Sequence, residues 1–232
     1  MADKNFELID PSSGKKSRLP VLEGTIGPAV LDIAGINKDH GVFTFDPGFG
    51  VTASTESKIT YIDGDAGILL HRGYPIEQLA DKSSFTEVAY LLLYGELPSA
   101  TQLQEFRGSI GHHTMINESL LRFFGGFHHN AHPMAMVSAV VASLSAFYHD
   151  TMDIHNPRHR EIFAHRVIAK IPTIAAAAYK HSLGQPYIYP RNDLGYCANL
   201  LHMFFAVPCE RYDVDPDAAA ALDLLFVLHA DR

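Results

Sequence analysis

The residues of this chain best suited to chemistry are its fourteen histidines and the carboxylates beside them. His128, His129 and His132 lie close together, and His149-Asp150-x-x-Asp153-x-His155 offers the mixed nitrogen and oxygen ligands that a divalent cation takes. A zinc enzyme uses two histidines one helical turn apart plus a distal third ligand, and neither group has that form. Adjacent histidines also project from different faces of a helix. His132 and His149 therefore read as hydrogen-bonded structural residues near helix ends, and no metal is expected. Asp63-Gly64-Asp65 has the opening of a calcium loop without its later ligands, so it reads as a turn. Cys197 and Cys209 give neither a disulfide framework nor a thiolate metal pattern.

The elements that carry these residues fall into two regions. Residues 1–70 read as short strands and turns, with strands expected at Val42 to Phe45, Ser57 to Ile62 and Gly67 to His71. Asp63-Gly64-Asp65 turns one strand back on the next, Gly73 breaks the run, and Pro75 is placed as a first helical residue. Residues 71–232 are helical almost throughout, so the fold class is mainly α with a small N-terminal β-rich region. Ser84-x-x-Glu87 and Ser99-x-x-Gln102 have capping-box form, and Gly95 is a suitable stop for the first of these helices. Pro133, Pro157 and Pro216 open later helices, the last two capped by Asn156 and Asp215. Pro172 should kink or split the stretch Arg158 to His181. Asn192 is expected to cap a helix from Leu194 to about Ala206.

Three stretches are apolar on most faces: Val137 to Phe147, Ile171 to Tyr179 and Leu200 to Phe205. Such helices are either central in a domain or buried between subunits, and a chain of this size has limited room for several centres. Self-association is therefore expected. A composition 47% hydrophobic and 19% charged is that of a globular chain. A net charge of −8 without a basic run makes nucleic acid and anionic membrane poor partners. The first ten residues lack an apolar signal core, and Met134 to Tyr148, the longest apolar stretch, is too short to span a bilayer. A soluble, cytoplasmic protein is expected.

The string Tyr61 to Ala80, YIDGDAGILLHRGYPIEQLA, resembles the N-terminal signature of citrate synthase. His40 to Ser57, HGVFTFDPGFGVTASTES, is similar to the segment before it in the hexameric, type II form typical of Gram-negative bacteria. HPMA at His132 to Ala135, FYHD at Phe147 to Asp150, NPRHR at Asn156 to Arg160, GQPYIYPRND at Gly184 to Asp193 and LHAD at Leu228 to Asp231 follow in the family's order.

The resemblance implies the helical scaffold of the citrate synthase large domain. It also implies an enzyme that condenses acetyl-CoA with oxaloacetate and water to give citrate and CoA, with no cofactor required. In the family an aspartate takes a proton from the acetyl methyl group and a histidine in a GPxHGG-like segment stabilises the enolate, in a closed, water-poor site. No GPxHGG-like segment occurs in these 232 residues. The chain therefore resembles the N-terminal portion of the enzyme only, carries no catalytic residue, and is expected to be inactive alone. His229 matches the first histidine of the family's LHADHE motif, a substrate-binding position. Arg232 stands where the second would contact oxaloacetate, and is expected to reflect truncation.

The type II form also implies an allosteric site for NADH. Carried over position by position, it comprises His113, Met115, Tyr148, Arg166, Lys170 and Cys209, with His112 where the family often has an arginine. Arginine and lysine pair with phosphate oxygens, and Tyr148 and Met115 offer a face to a ring. The family form assembles as a dimer, and as a hexamer built from three dimers. Two other readings stay open: a non-catalytic nucleotide-sensing or oligomerisation module on the same scaffold, and methylcitrate synthase, against which the long N-terminal β region argues.

Overall fold

The computed structural model describes residues 4–231. The chain divides into two compact units between Pro75 and Ile76. In the first unit, β1 (Asn5–Ile9), β2 (Lys16–Leu22) and β3 (Val30–Leu31) form one antiparallel sheet in that order. A short helix α1 (Ile36–His40) follows, ended by Gly41 at φ 70°. The second sheet joins β4 (Thr60–Asp63), β5 (Ile68–His71) and β6 (Tyr74–Pro75), with Tyr61 opposite Leu70 and Ile62 opposite Leu69. Its first turn is built as Asp63-Gly64-Asp65 suggests: the Asp63 carboxylate accepts the Ala66 N–H at 2.9 Å. The left-handed conformation falls on Gly67, φ 68°.

Two local expectations are corrected here. Residues 42–45 are not a strand: among the described residues no strand pairs with them, and Phe43 and Phe45 are 85% and 92% exposed. The loop that follows is closed on itself by Asp46, whose carboxylate accepts from the backbone N–H groups of Gly50 and Val51. Pro75 is not the first helical residue either. It pairs with Leu70 at the end of β6, where a residue without an N–H is tolerated at a sheet edge, and α2 (Ile76–Lys82) begins one position later.

The second unit holds α2 and, among the described residues, seven further α-helices: α3 (Phe85–Tyr94), α4 (Ala100–His112), α5 (Glu118–Phe123), α6 (Pro133–Ser143), α7 (Pro157–Leu183), α8 (Tyr196–Phe205) and α9 (Pro216–Leu228), with short 3-10 turns at Phe124–Gly126, Leu144–Ala146 and His149–Thr151. Their ends follow the residues that mark them. Glu87 and Gln102 each accept the N–H of the serine three positions earlier, at 2.8 and 2.9 Å, and Gly95 ends α3 at φ 96°. Asn156 and Asp215 cap α7 and α9, each followed by proline. His132 caps α6, its Nδ1 accepting the Met134 N–H at 3.2 Å.

Helix α7 runs unbroken through Pro172, so of the kink or split expected there the split does not occur. A proline there leaves the carbonyl four residues earlier, that of Ile168, without its helical donor. The Tyr196 hydroxyl supplies one at 2.8 Å. Helix α8 starts at Tyr196 with Gly195 at its N-cap, so Asn192 caps nothing and lies in the turn before it. That turn is held instead by Asn199, whose side-chain oxygen accepts the Arg191 N–H, and by the Arg191–Asp193 ion pair.

The main core packs α5, α6 and α7 around Phe124, Met136, Val140, Leu144 and Ile174, all nearly inaccessible, with Ala177 and Ala178 allowing close approach. A smaller cluster sets Ala176 against Leu200 and Met203 of α8. Helix α7 is thus the axis of this unit: its middle is buried within the chain, while Phe205 on α8 and Leu224 and Leu225 on α9 remain 51%, 41% and 52% exposed. No helix among the described residues is long and apolar enough to cross a membrane.

Candidate functional site

Because α7 carries ten buried residues, its inner face places side chains rigidly. Arg166 and Lys170, one helical turn apart and so about 6 Å apart along the axis, share one side of it. Both address the ring of Tyr148, with the Arg166 Cζ 4.6 Å and the Lys170 Nζ 5.1 Å from its centroid. Two cations beside one aromatic ring make a locally positive, partly desolvated patch.

Arg166 is aimed by Thr151, whose hydroxyl accepts from Nη1 at 2.6 Å, and lies 3.6 Å from the exposed carboxylate of Asp150. Its Nε is buried and makes no hydrogen bond. Lys170 is only 2% exposed, and its ammonium donates to two main-chain carbonyls, those of His113 (2.7 Å) and Met115 (2.5 Å). Burial, with Arg166 alongside, pulls its pKa down to about 8. Burial and the same two cations lower His113 below the usual imidazole value, so that ring is neutral at pH 7. Tyr148 is pushed up by burial, with Arg166 opposing. The Met115 side chain, 56% exposed, stands at the rim.

Five of the six residues carried over from the family are therefore gathered by α7, the segment after α4 and the 3-10 turn His149–Thr151. No hydrogen bond, ion pair or ring contact joins Cys209 to them among the described residues. It is exposed, and Ala206 just before it is held by Lys180, ten residues or about 15 Å further along α7. His112 donates from Nδ1 to the Gly108 carbonyl at 2.6 Å. His229 ends α9, its Nδ1 bonded to the Leu225 carbonyl at 2.9 Å. Arg232 lies outside the described residues. Sequence reading missed Thr151 and Thr173, which have no signature of their own and matter only through what they touch.

Two further groups came from no motif. Ser109 Oγ lies 2.8 Å from His165 Nδ1, His165 Nε2 lies 2.8 Å from the Tyr94 hydroxyl, and Tyr94 donates to Glu161 at 2.7 Å. The carboxylate end orders this chain: Tyr94 gives its proton to Glu161, so it accepts from Nε2–H, and Nδ1 accepts from Ser109. Elsewhere a cavity of about 550 Å3 is lined by Arg107, Ile110, Pro172, Met203 and Asp223 among others. In its wall the Cys197 thiol donates to Asp223 at 3.4 Å, and Asp223 accepts the first N–H of α3. Burial pushes that thiol up to about 12, so it stays protonated. No group of three histidine, cysteine or carboxylate side chains converges on a metal position among the described residues.

Comparison with known proteins adds the context. A family model described as "Citrate synthase, C-terminal domain" matches residues 48–232. The citrate synthase of Pyrobaculum aerophilum is 30% identical, with a TM-score of 0.70 over 91% of this chain and 49% of that one. The enzyme of Thermotoga maritima is also 30% identical, with a TM-score of 0.66 over 82% and 47%. Citrate synthase from Thermoplasma acidophilum, solved as a ternary complex with carboxymethyl coenzyme A and oxaloacetate, shares the fold at 23% identity, with a TM-score of 0.69 over 77% and 45%. The chain spans about half the length of the solved structures it matches.

Proposed function

This chain belongs to the citrate synthase family, and we propose that it is the N-terminal part of a type II citrate synthase, the hexameric form of Gram-negative bacteria. The intact enzyme condenses acetyl-CoA with oxaloacetate and water, giving citrate and CoA and opening the tricarboxylic acid cycle. The observation that carries this reading is the family match over residues 48–232, with seven sequence blocks in the family's order. The HGVFTFDPGFGVTASTES segment and the β region around it favour type II over methylcitrate synthase.

In this reading residues 1–70 are the β-strand and turn region and residues 71–232 the helical part of the large domain. His229 is a substrate-binding residue, and no cofactor is required. The groups that move protons lie in the family's GPxHGG-like segment and beyond it, and these residues contain none of them. The 232-residue chain alone therefore does not turn over. It works in the cytoplasm and self-associates, as dimers and three dimers to the hexamer, through faces such as the exposed leucines of α9.

NADH is the allosteric inhibitor, held at Tyr148 and Arg166 with His113 and Met115 beside them. Arg166 beside an aromatic ring, its one ion pair among the described residues being a 3.6 Å contact to the exposed carboxylate of Asp150, suits a nucleotide, which carries a phosphate and a flat base. Cys209, remote from this group in one chain, would reach the ligand only in another arrangement of subunits. A non-catalytic nucleotide-sensing module would share this site.

Release of CoA from acetyl-CoA and oxaloacetate, coupled to a thiol reagent, tests the central reading. No turnover is expected from the 232 residues, and turnover is expected once a GPxHGG-bearing half follows them in the same chain. Activity well above blank from the 232 residues overturns the inactivity. An extended chain that binds NADH but never turns over favours the sensing module.

A further inference from the structure

Lys170 is the most deeply buried cation of the candidate site, and its donors are already engaged. Its ammonium carries three N–H groups; two point at the carbonyls of His113 and Met115 and its remaining side faces the Tyr148 ring. Between those two carbonyls lies that of Thr114, which accepts the Thr173 hydroxyl at 2.7 Å. Three consecutive carbonyls of residues 113–115 are thus held by two side chains of α7. The segment has left helix α4; among the described residues its own ties back to that helix are the His113 N–H to the Ile110 carbonyl and the Thr114 hydroxyl to the Gly111 carbonyl. Nearby charged and titratable groups are His165 and Arg166 on α7, His112 at the end of α4, His113 on the segment, and Tyr148 and Asp150 before α7.

We propose that Lys170 and Thr173 form a clasp that presets residues 113–115 for ligand, so that Lys170 is a positioning residue and Arg166 the group that meets the phosphate. This rests on the nucleotide reading above and goes beyond it. The two roles separate by geometry. Arg166 has a buried Nε without a partner, whereas Lys170 has spent its hydrogen bonds on the backbone. A ligand drawing the ammonium away would release two part-buried carbonyls, a loss that offsets what the new contact gains.

The test uses hydrogen exchange of the His113 amide, whose bond to the Ile110 carbonyl opens when the segment moves, without ligand, and NADH affinity by calorimetry, on the 232-residue chain. Thr173→Val removes an uncharged bond that no ligand touches. It is expected to speed exchange of the segment severalfold and weaken NADH about three- to tenfold, with far-UV circular dichroism unchanged. Lys170→Met is expected to do both more strongly, and Lys170→Arg to restore part of each. Arg166→Gln is expected to weaken NADH without loosening the segment.

If Lys170→Met weakens NADH but leaves segment exchange unchanged, the ammonium acts on the ligand directly and the clasp is wrong. If Thr173→Val loosens the segment with NADH affinity intact, presetting does not matter and the proposal also falls. If Lys170→Met does not fold, the Thr173→Val result decides. A wild-type chain with a protected His113 amide that both variants loosen, but with no NADH heat, refutes the nucleotide reading while leaving the clasp standing.

Discussion

Tyr196 donates its hydroxyl hydrogen bond, at 2.8 Å, to the main-chain carbonyl of Ile168, the one group that Pro172 strips of its helical donor. The first residue of α8 thereby makes it possible for α7 to pass through a proline unbroken.

Tyr196→Phe should cost about 1–3 kcal/mol, because it strands a half-buried carbonyl instead of removing a matched pair. Pro172→Ala in the same chain returns an N–H to that carbonyl and should recover much of the loss. Urea unfolding of the single and double variants measures this coupling; additive losses would contradict it.

Phe124 is completely buried at the centre of the α5–α6–α7 core. Phe124→Ala should destabilise by about 3–5 kcal/mol. The readout is a drop in urea midpoint with an unchanged slope.

Stability should fall on acidification through His165. Its burial lowers the imidazole pKa below 6.5, with Glu161 opposing. The folded chain therefore refuses a proton that the unfolded chain accepts. The stabilisation is present above about pH 6.5 and is lost as pH drops through the folded value. Protonation would also turn Nδ1 into a donor facing Ser109, whose own proton must then swing away. His165→Asn should flatten the change in urea midpoint between pH 7.5 and pH 5.

Lys170 acts in the opposite range. Its folded pKa of about 8 lies below the ordinary lysine value of 10.5, so between these the unfolded chain holds a proton that the folded chain has released. This group alone makes stability rise with pH across that window. Lys170→Met should remove that contribution, visible as a smaller gain, or larger loss, in urea midpoint from pH 8 to pH 10.

Arg166→Gln should weaken NADH by about 10- to 100-fold, the scale of one charge-assisted contact. Its effect on the fold should be small, because it loses the hydrogen bond to Thr151, a long ion pair to the exposed carboxylate of Asp150 and the contact with the Tyr148 ring, and no core packing. Calorimetry against thermal unfolding separates the two.

Much of this molecule was legible in its sequence where the physics is local. Serine, asparagine, aspartate, proline and glycine marked helix ends because a cap is satisfied within a few residues, and Asp63 marked its turn for the same reason. The seven blocks likewise pointed to the family that the comparisons support. What failed depended on distant partners. Residues 42–45 have strand-forming side chains but no strand to pair with, and Pro172 needed Tyr196 from another helix. In the sequence Lys170 stands one turn from Arg166 as a second cation for a phosphate; only packing shows it buried, its charge turned onto the carbonyls of His113 and Met115. Spacing along a chain determines which side chains share a face, but a hydrogen bond between residues more than fifty positions apart exists only once the helices between them have packed.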